Sequence, residues 1–262
     1  MIRLRDARTG STAEVRPAQP GVLRICAHVP AAGAGSGITA LRVLLAADLL
    51  ARVAELSGLQ VLTAVASDDP AAGPAGALAR DADALGIHPP TARTTSRDAP
   101  SSLGGPIDVH LAARDALDLS LDGLPAVVDT AYLGGAGGRA GAAGEGLPAD
   151  PGRDPLAVRL ALMSFPISLA AGVTVDALDR AGETLRSWRQ QVARWAESPS
   201  RPIPASVAEA TGAAFGDLDT ASAMALLREL APDASVPAGA KFETFVYADR
   251  ILGLDLAREV GR

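Results

Sequence analysis

Lysine is almost missing from this chain. Lys241 is the only one among 24 basic residues, and the others are arginines. A reaction that relies on lysines in a loop of the N-terminal half therefore has none to use. Cysteine is as scarce. Cys26 stands alone, which excludes an internal disulfide and any site that needs two thiolates. There are three histidines, His28, His88 and His110, and no serine, histidine and carboxylate fall at a spacing diagnostic of a nucleophilic triad. Aromatics make up 3% of the residues, so the 48% hydrophobic content comes mostly from Ala, Leu and Val. No apolar run approaches a membrane span, and Met1-Ile2-Arg3-Leu4-Arg5-Asp6 has no apolar core of a signal peptide, so a cytoplasmic protein is expected. A net charge of −6 argues against broad binding to nucleic acid or an anionic membrane, both of which need basic surface.

What is present is organised around residues 22–56. Val22-Leu23-Arg24-Ile25-Cys26-Ala27-His28-Val29 is short, apolar and β-branched, as a buried strand is. Ala31-Ala32-Gly33-Ala34-Gly35-Ser36-Gly37 then carries no bulky side chain. Ile38, Leu41, Leu45, Leu49, Val53 and Leu56 follow at helical spacing, with Arg42, Arg52 and Glu55 off that stripe. A strand, a glycine loop and a helix N-terminus can hold a phosphate or adenylate, because bare backbone and free N–H groups face the anion. A tight strand-to-helix turn has the same composition without any ligand.

Residues 1–21 read as a loose arm or short hairpin. Residues 59–66 read as a second strand, Ala75 to Leu85 as a short helix, and 91–106 as a loop. Ile107-Asp108-Val109-His110 and Pro125-Ala126-Val127-Val128 read as two more strands. Seven glycines between Gly134 and Gly146 mark a linker or loop. Beyond it the periodicity is helical, starting where Asp154 and Pro155 supply a cap and a first-turn proline. Helices are expected near 176–197, 221–230 and 242–252. The chain thus reads as α/β first and a helical bundle second, split near residue 150.

The order of these segments resembles cysteinyl-tRNA synthetase and, more closely, the cysteine:glucosaminyl-inositol ligase of mycothiol synthesis. Ile2-Arg3-Leu4-Arg5-Asp6 with Glu14-Val15-Arg16-Pro17 and Pro20-Gly21 is similar to the ligase's opening. Ile25-Cys26 falls where the family has its first zinc-binding cysteine. Asp68-Asp69-Pro70 and Asp83-Ala84-Leu85-Gly86-Ile87-His88-Pro89-Pro90 resemble the region around its second strand. Ile107-Asp108-Val109-His110 resembles the strand before its adenosine-binding glycines, here replaced by Leu111-Ala112-Ala113. Asp154-Pro155-Leu156-Ala157-Val158-Arg159-Leu160-Ala161-Leu162 resembles the stem after its mobile lysine loop. The resemblance implies a Rossmann-like, class I synthetase (HUP-type) parallel sheet over 1–150, lacking most of the connective insertion between about Ala92 and Pro106. An α-helical stem over 151–262 would follow.

The chemical signatures of that family are not in this chain. Its His-Ile-Gly-His motif falls on Gly35-Ser36-Gly37-Ile38 or on Gly37-Ile38-Thr39-Ala40, and neither holds a histidine. Its second motif uses lysines to neutralise charge on the departing pyrophosphate, and losing one such group costs about 10²–10³ in rate. The corresponding stretch, Gly134 to Gly146, has Arg139 as its only cation. The family's zinc needs two cysteines, a histidine and a glutamate, and only Cys26 is present, so no zinc of that kind is expected.

The resulting expectation is a degenerate, class I synthetase-like paralogue, a pseudoenzyme that keeps the fold and binds a small ligand or a protein partner without aminoacylating tRNA. ATP or an adenylate is the open cofactor, and the binding candidates are His28, Gly35, Ser36, Gly37, Thr39, Asp108, His110 and Arg139. No catalytic residue and no metal ligand is assigned. Cys26 reads first as a small core residue, and Asp68 and Asp69 as helix caps or ligands of an amine. Arg180, Arg186, Arg189 and Arg194 read as a solvated helix face in preference to a tRNA track, and Trp188 and Trp195 as core. Two alternatives stay open. One is an active ATP-dependent amino-acid ligase that uses Arg139 and Thr39. The other is a companion subunit of a true synthetase, with the arginine-bearing helix and the C-terminal helices as its interface; a homo-oligomer is open as well.

Overall fold

The computed structural model describes residues 1–29, 36–67, 75–134, 147 and 152–262. The glycine turn before Ser36, Asp68, Asp69 and Arg139 lie outside the described residues. The arm at the N-terminus is a hairpin of β1 (Arg3–Arg5) and β2 (Thr12–Glu14), paired with Arg3 opposite Glu14. The central sheet follows from β3 (Val22–His28), β4 (Gln60–Ala66), β5 (Ala92–Thr94), β6 (Val109–Ala112) and β7 (Leu124–Val127). Its order is β5-β4-β3-β6-β7, and every neighbouring pair is parallel. β3 lies at the centre, and after Val22 each of its residues is buried, as the unbroken apolar run requires.

One face of the sheet packs on α1 (Ser36–Leu56). A one-sided apolar stripe was the sequence expectation for this helix, but the structure buries it nearly all round, Arg42 and Asp48 included. Helices buried on all sides carry their charges inward only where partners meet them. Arg42 donates to the carbonyls of Asp129, Thr130, Phe165, Pro166 and Leu169, joining the helix to two later segments. The opposite face has a thinner cover. There α3 (Ala99–Ser102) and the turn after it place Ala99, Leu103 and Ile107 against Cys26, Ala64 and Ala66. This region was expected to be only loop, yet it contributes both β5 and α3. The helix after β4, α2 (Ala75–Ala84), matches its apolar pattern.

Beyond the sheet the chain is not helical throughout. β8 (Ala131–Gly134) pairs in parallel with β9 (Ala171–Thr174), which lies between α4 (Pro155–Met163) and α5 (Val175–Trp195). Asp154 caps α4 by accepting from the Leu156 N–H, with Pro155 in the first turn. α6 (Ala205–Gly216), α7 (Thr220–Leu230) and α8 (Ala238–Leu252) complete the described helices. Trp188 and Trp195 both meet Phe245 edge-on, at centroid distances of 5.6 and 5.0 Å. Arg180, Arg186 and Arg194 are exposed. Arg189 departs from the expected solvated face. It is buried, donates to the carbonyls of Leu254 and Asp255, and pairs with Asp154 at 2.5 Å.

Candidate functional site

In strand order the chain leaves β3 first toward β4 and later crosses back to β6. The point where the winding reverses is therefore the gap between β3 and β6. In open parallel sheets, ligands bind outside the carboxyl ends of the strands at that point. The register decides which side chains gather there. Cys26 lies opposite His110, and His28 opposite Ala112. Because side chains alternate along a strand, Cys26 and His28 share a face, and the parallel register adds His110 to it. Ile25, Ala27, Val109 and Leu111 point the other way, into the main core.

The two imidazoles form the middle of a hydrogen-bonded chain. His28 Nδ1 lies 3.0 Å from Ser96 Oγ, His28 Nε2 lies 2.8 Å from His110 Nδ1, and His110 Nε2 lies 2.7 Å from the Asp122 carbonyl oxygen. A carbonyl can only accept, so His110 carries its proton on Nε2 and accepts at Nδ1. His28 then donates from Nε2, and the Ser96 hydroxyl donates to His28 Nδ1. Burial, reinforced by the neighbouring His110, pushes the His28 pKa down to about 4, with Asp118 opposing. Burial also lowers that of His110, against the bond to Asp122. Both rings are neutral at pH 7. Burial raises the Cys26 thiol to about 12, so it too is neutral. The sulfur and one nitrogen of each ring all lie within 4.8 Å of one another.

The loop after β6 closes this site, and the N-terminal hairpin holds the loop. Arg8 donates to the carbonyls of Leu119, Leu121 and Gly123. Gly123 has φ +91°, and a Cβ there would sit 2.3 Å from the Ile107 carbonyl oxygen. Only glycine lets the chain turn so closely under β6 while presenting the Asp122 carbonyl to His110. Asp118, held ionised by hydrogen bonds from Ser120, adds negative charge nearby.

The sequence candidates separate. His28 and His110 meet. Asp108 is elsewhere: its carboxylate accepts from the backbone N–H groups of Ala18 and Arg24, toward the start of the strands. Thr39 is buried in α1 with its hydroxyl bonded to the backbone of Ala131 in β8 through both N–H and carbonyl. Ser36 opens α1 and Gly37 follows it, half-buried. Gly35 and Arg139 lie outside the described residues. Ser96, Asp118, Asp122 and Gly123 had no sequence signal. A serine in a Thr- and Ser-rich loop is unremarkable until the fold sets it on an imidazole. A serine on a histidine that a further group orients is the order used to activate a nucleophile. Here the orienting group is a neutral imidazole instead of a carboxylate. The resemblance-derived zinc set cannot be assembled, since the chain has one cysteine.

No protein-family model matches the chain, and no curated protein matches it. Among solved structures, it is similar to a protein from Campylobacter jejuni provisionally described as an arginyl-tRNA synthetase. The TM-score is 0.52 over 93% of this chain and 90% of that one, at 10% identity. Identity that low shows the fold alone: a mixed α/β architecture with a parallel central sheet. No helix among the described residues is long and apolar enough to cross a membrane.

Proposed function

We propose that this chain is a degenerate class I synthetase-like protein that binds a small ligand, a nucleotide or an amino-acid derivative, at the mouth between β3 and β6. In this reading it is a shortened, cytoplasmic paralogue of cysteinyl-tRNA synthetase and mycothiol ligase, with a nucleotide-binding part over 1–150 and an α-helical stem over 151–262. It does not aminoacylate tRNA. The observation that carries the reading is the pair of neutral imidazoles, His28 and His110, joined at 2.8 Å where the strand order reverses. Neutral rings lack the fixed positive charge that pyrophosphate departure calls on. The missing signature motifs and the net charge of −6 support binding without transfer to tRNA.

The test is a thermal-shift and calorimetric series with ATP, AMP and non-hydrolysable aminoacyl-adenylate mimics. A ligand at 100 times its Kd stabilises the fold by about 2.7 kcal/mol. Binding by at least one of these, weakened by His28→Ala and accompanied by background ATP–pyrophosphate exchange, is the expected result. Robust exchange with any amino acid overturns the degenerate reading, and no binding across the series overturns the ligand reading.

A further inference from the structure

We propose that Cys26, His28 and His110 form a three-ligand site for a zinc-class divalent metal ion. This donor set differs from the one the resemblance implied. It uses one thiolate and two imidazoles, all from adjacent strands β3 and β6 of the central sheet. It stands on these side chains alone and does not depend on nucleotide binding.

The geometry has three parts. First, the donors converge: one atom from each of three buried side chains, all within 4.8 Å. Zinc binds sulfur at about 2.3 Å and imidazole nitrogen at about 2.0–2.1 Å, which sets tetrahedral ligand atoms about 3.3–3.6 Å apart. The facing nitrogens, now 2.8 Å apart, need to open by about 0.5 Å. The sulfur needs to close by about 1 Å, and both are side-chain adjustments. Second, each ring has one nitrogen held from outside the pair and the other facing the second ring. His110 Nε2 donates to the Asp122 carbonyl, and His28 Nδ1 faces the Ser96 hydroxyl. Metal-bound histidines are oriented in this way, by a carbonyl or hydroxyl on the far nitrogen. Third, the backbone fixes the set, because the Cys26–His110 register is locked by parallel pairing on both sides of β3.

The proton balance is simple. Without metal, His28 holds its proton on Nε2 and Cys26 is a thiol. With metal, that imidazole proton moves to Nδ1, where the Ser96 oxygen accepts it, and the thiol proton leaves to solvent. One proton is released for each ion bound. Three protein ligands leave a fourth tetrahedral position for water.

The experiment titrates the full chain, stripped of metal by a chelator, with Co²⁺ and then with Zn²⁺ in competition. The expected result is one equivalent bound, a thiolate-to-cobalt charge-transfer band, and displacement by Zn²⁺. Cys26→Ala should abolish that band, and His110→Gln should weaken binding at least about 100-fold. Circular dichroism on each variant shows that it is folded, and Cys26→Ser serves should Cys26→Ala fail to fold. Binding of Co²⁺ without a thiolate band, or equal affinity in folded wild-type and variant chains, overturns the site. A nucleotide that binds the stripped protein while Co²⁺ does not would remove this proposal and leave the ligand reading in place.

Discussion

Arg159 and Asp48 meet at 2.7 Å with side chains 0% and 1% exposed, and they join α4 to the middle of α1 across 111 residues of sequence. Arg159 also donates to the carbonyls of Leu85 and Leu252, while Asp48 receives Arg52 Nε at 2.9 Å and the His88 N–H at 3.1 Å. The pair has its hydrogen bonds filled from four segments. Asp48→Asn leaves the buried Arg159 guanidinium without its bonded carboxylate and is expected to cost about 3–5 kcal/mol in urea unfolding. Arg159→Met leaves Asp48 its ion pair with Arg52 and is expected to cost less than Asp48→Asn. Replacing both by apolar residues of similar volume should recover much of the loss. An Asp48→Asn loss under about 1 kcal/mol, the range of a surface pair, would show that the ion pair is solvated.

The same carboxylate gives the fold an acid limb. Burial pushes the Asp48 pKa up, but Arg159, Arg52 and the hydrogen bonds outweigh it, so the native value lies below the ordinary one. In the unfolded chain the group titrates near about 3.9. Between the two values the unfolded chain binds the proton and the native one does not, so unfolding is favoured there. The contribution is complete above about pH 4 and is lost as pH falls through the native pKa. Asp48→Asn should therefore flatten the stability profile in that window and leave its shape near neutral pH unchanged, as read by urea midpoints at stepped pH.

These charges mark the limit of what could be read along the chain. β3 and β4 were legible as unbroken apolar runs, and α1 and α5 because they are long and their apolar residues keep a helical period. β8 and β9 were not, since four residues rich in Ala and Gly carry no alternation, and each is defined only by the other. α6 was missed for a related reason: only Thr211, Phe215 and Gly216 of its residues are buried, so it shows no stripe. Asp48 lies between alanines and leucines and reads as an interruption until Arg159 arrives from a distant helix. In the site, His28 closes β3 as the sequence suggests, but β6 runs on to Ala112, so His110 is its second residue and not its end. Asp108 was misplaced because it lies just before β6, where its carboxylate is taken up by the Ala18 and Arg24 N–H groups. Ser96 and Asp122 join the imidazoles through loop contacts that no local pattern encodes.

Arg42 offers a test of geometry against charge. Burial lowers its pKa to about 10, which still leaves it protonated at neutral pH. Its two terminal nitrogens serve five carbonyls, with the shortest bond, 2.6 Å, to Leu169. Arg42→Lys keeps the charge but replaces a planar fork with a point donor. Carbonyls left without donors cost about 1–3 kcal/mol each where water cannot reach them. The lysine variant is expected to lose at least about 2 kcal/mol, with faster amide exchange around 129–131 and 169–173, where β8 meets β9. Full stability in Arg42→Lys would mean that the charge alone suffices.

Gly123 links backbone strain to the imidazole chain. Its φ of +91° lies in the left-handed region, and a Cβ would meet the Ile107 carbonyl oxygen at 2.3 Å and that of Asp108 at 3.1 Å. Gly104 is the natural control: its φ is +68°, but a Cβ there meets nothing within 4 Å. Gly104→Ala should therefore show the conformational cost alone, about 1 kcal/mol. Gly123→Ala adds a backbone clash and should lose more, by about 1–3 kcal/mol beyond the control. The two variants should also differ in the site. Relieving the clash moves the Asp122 carbonyl, which receives the His110 Nε2 proton at 2.7 Å. The ring ¹⁵N shifts of His110, and through it His28, should then move in Gly123→Ala and stay put in Gly104→Ala. Equal losses in the two variants, with both imidazoles undisturbed, would show that the turn at Gly123 does not set the tautomers of the pair.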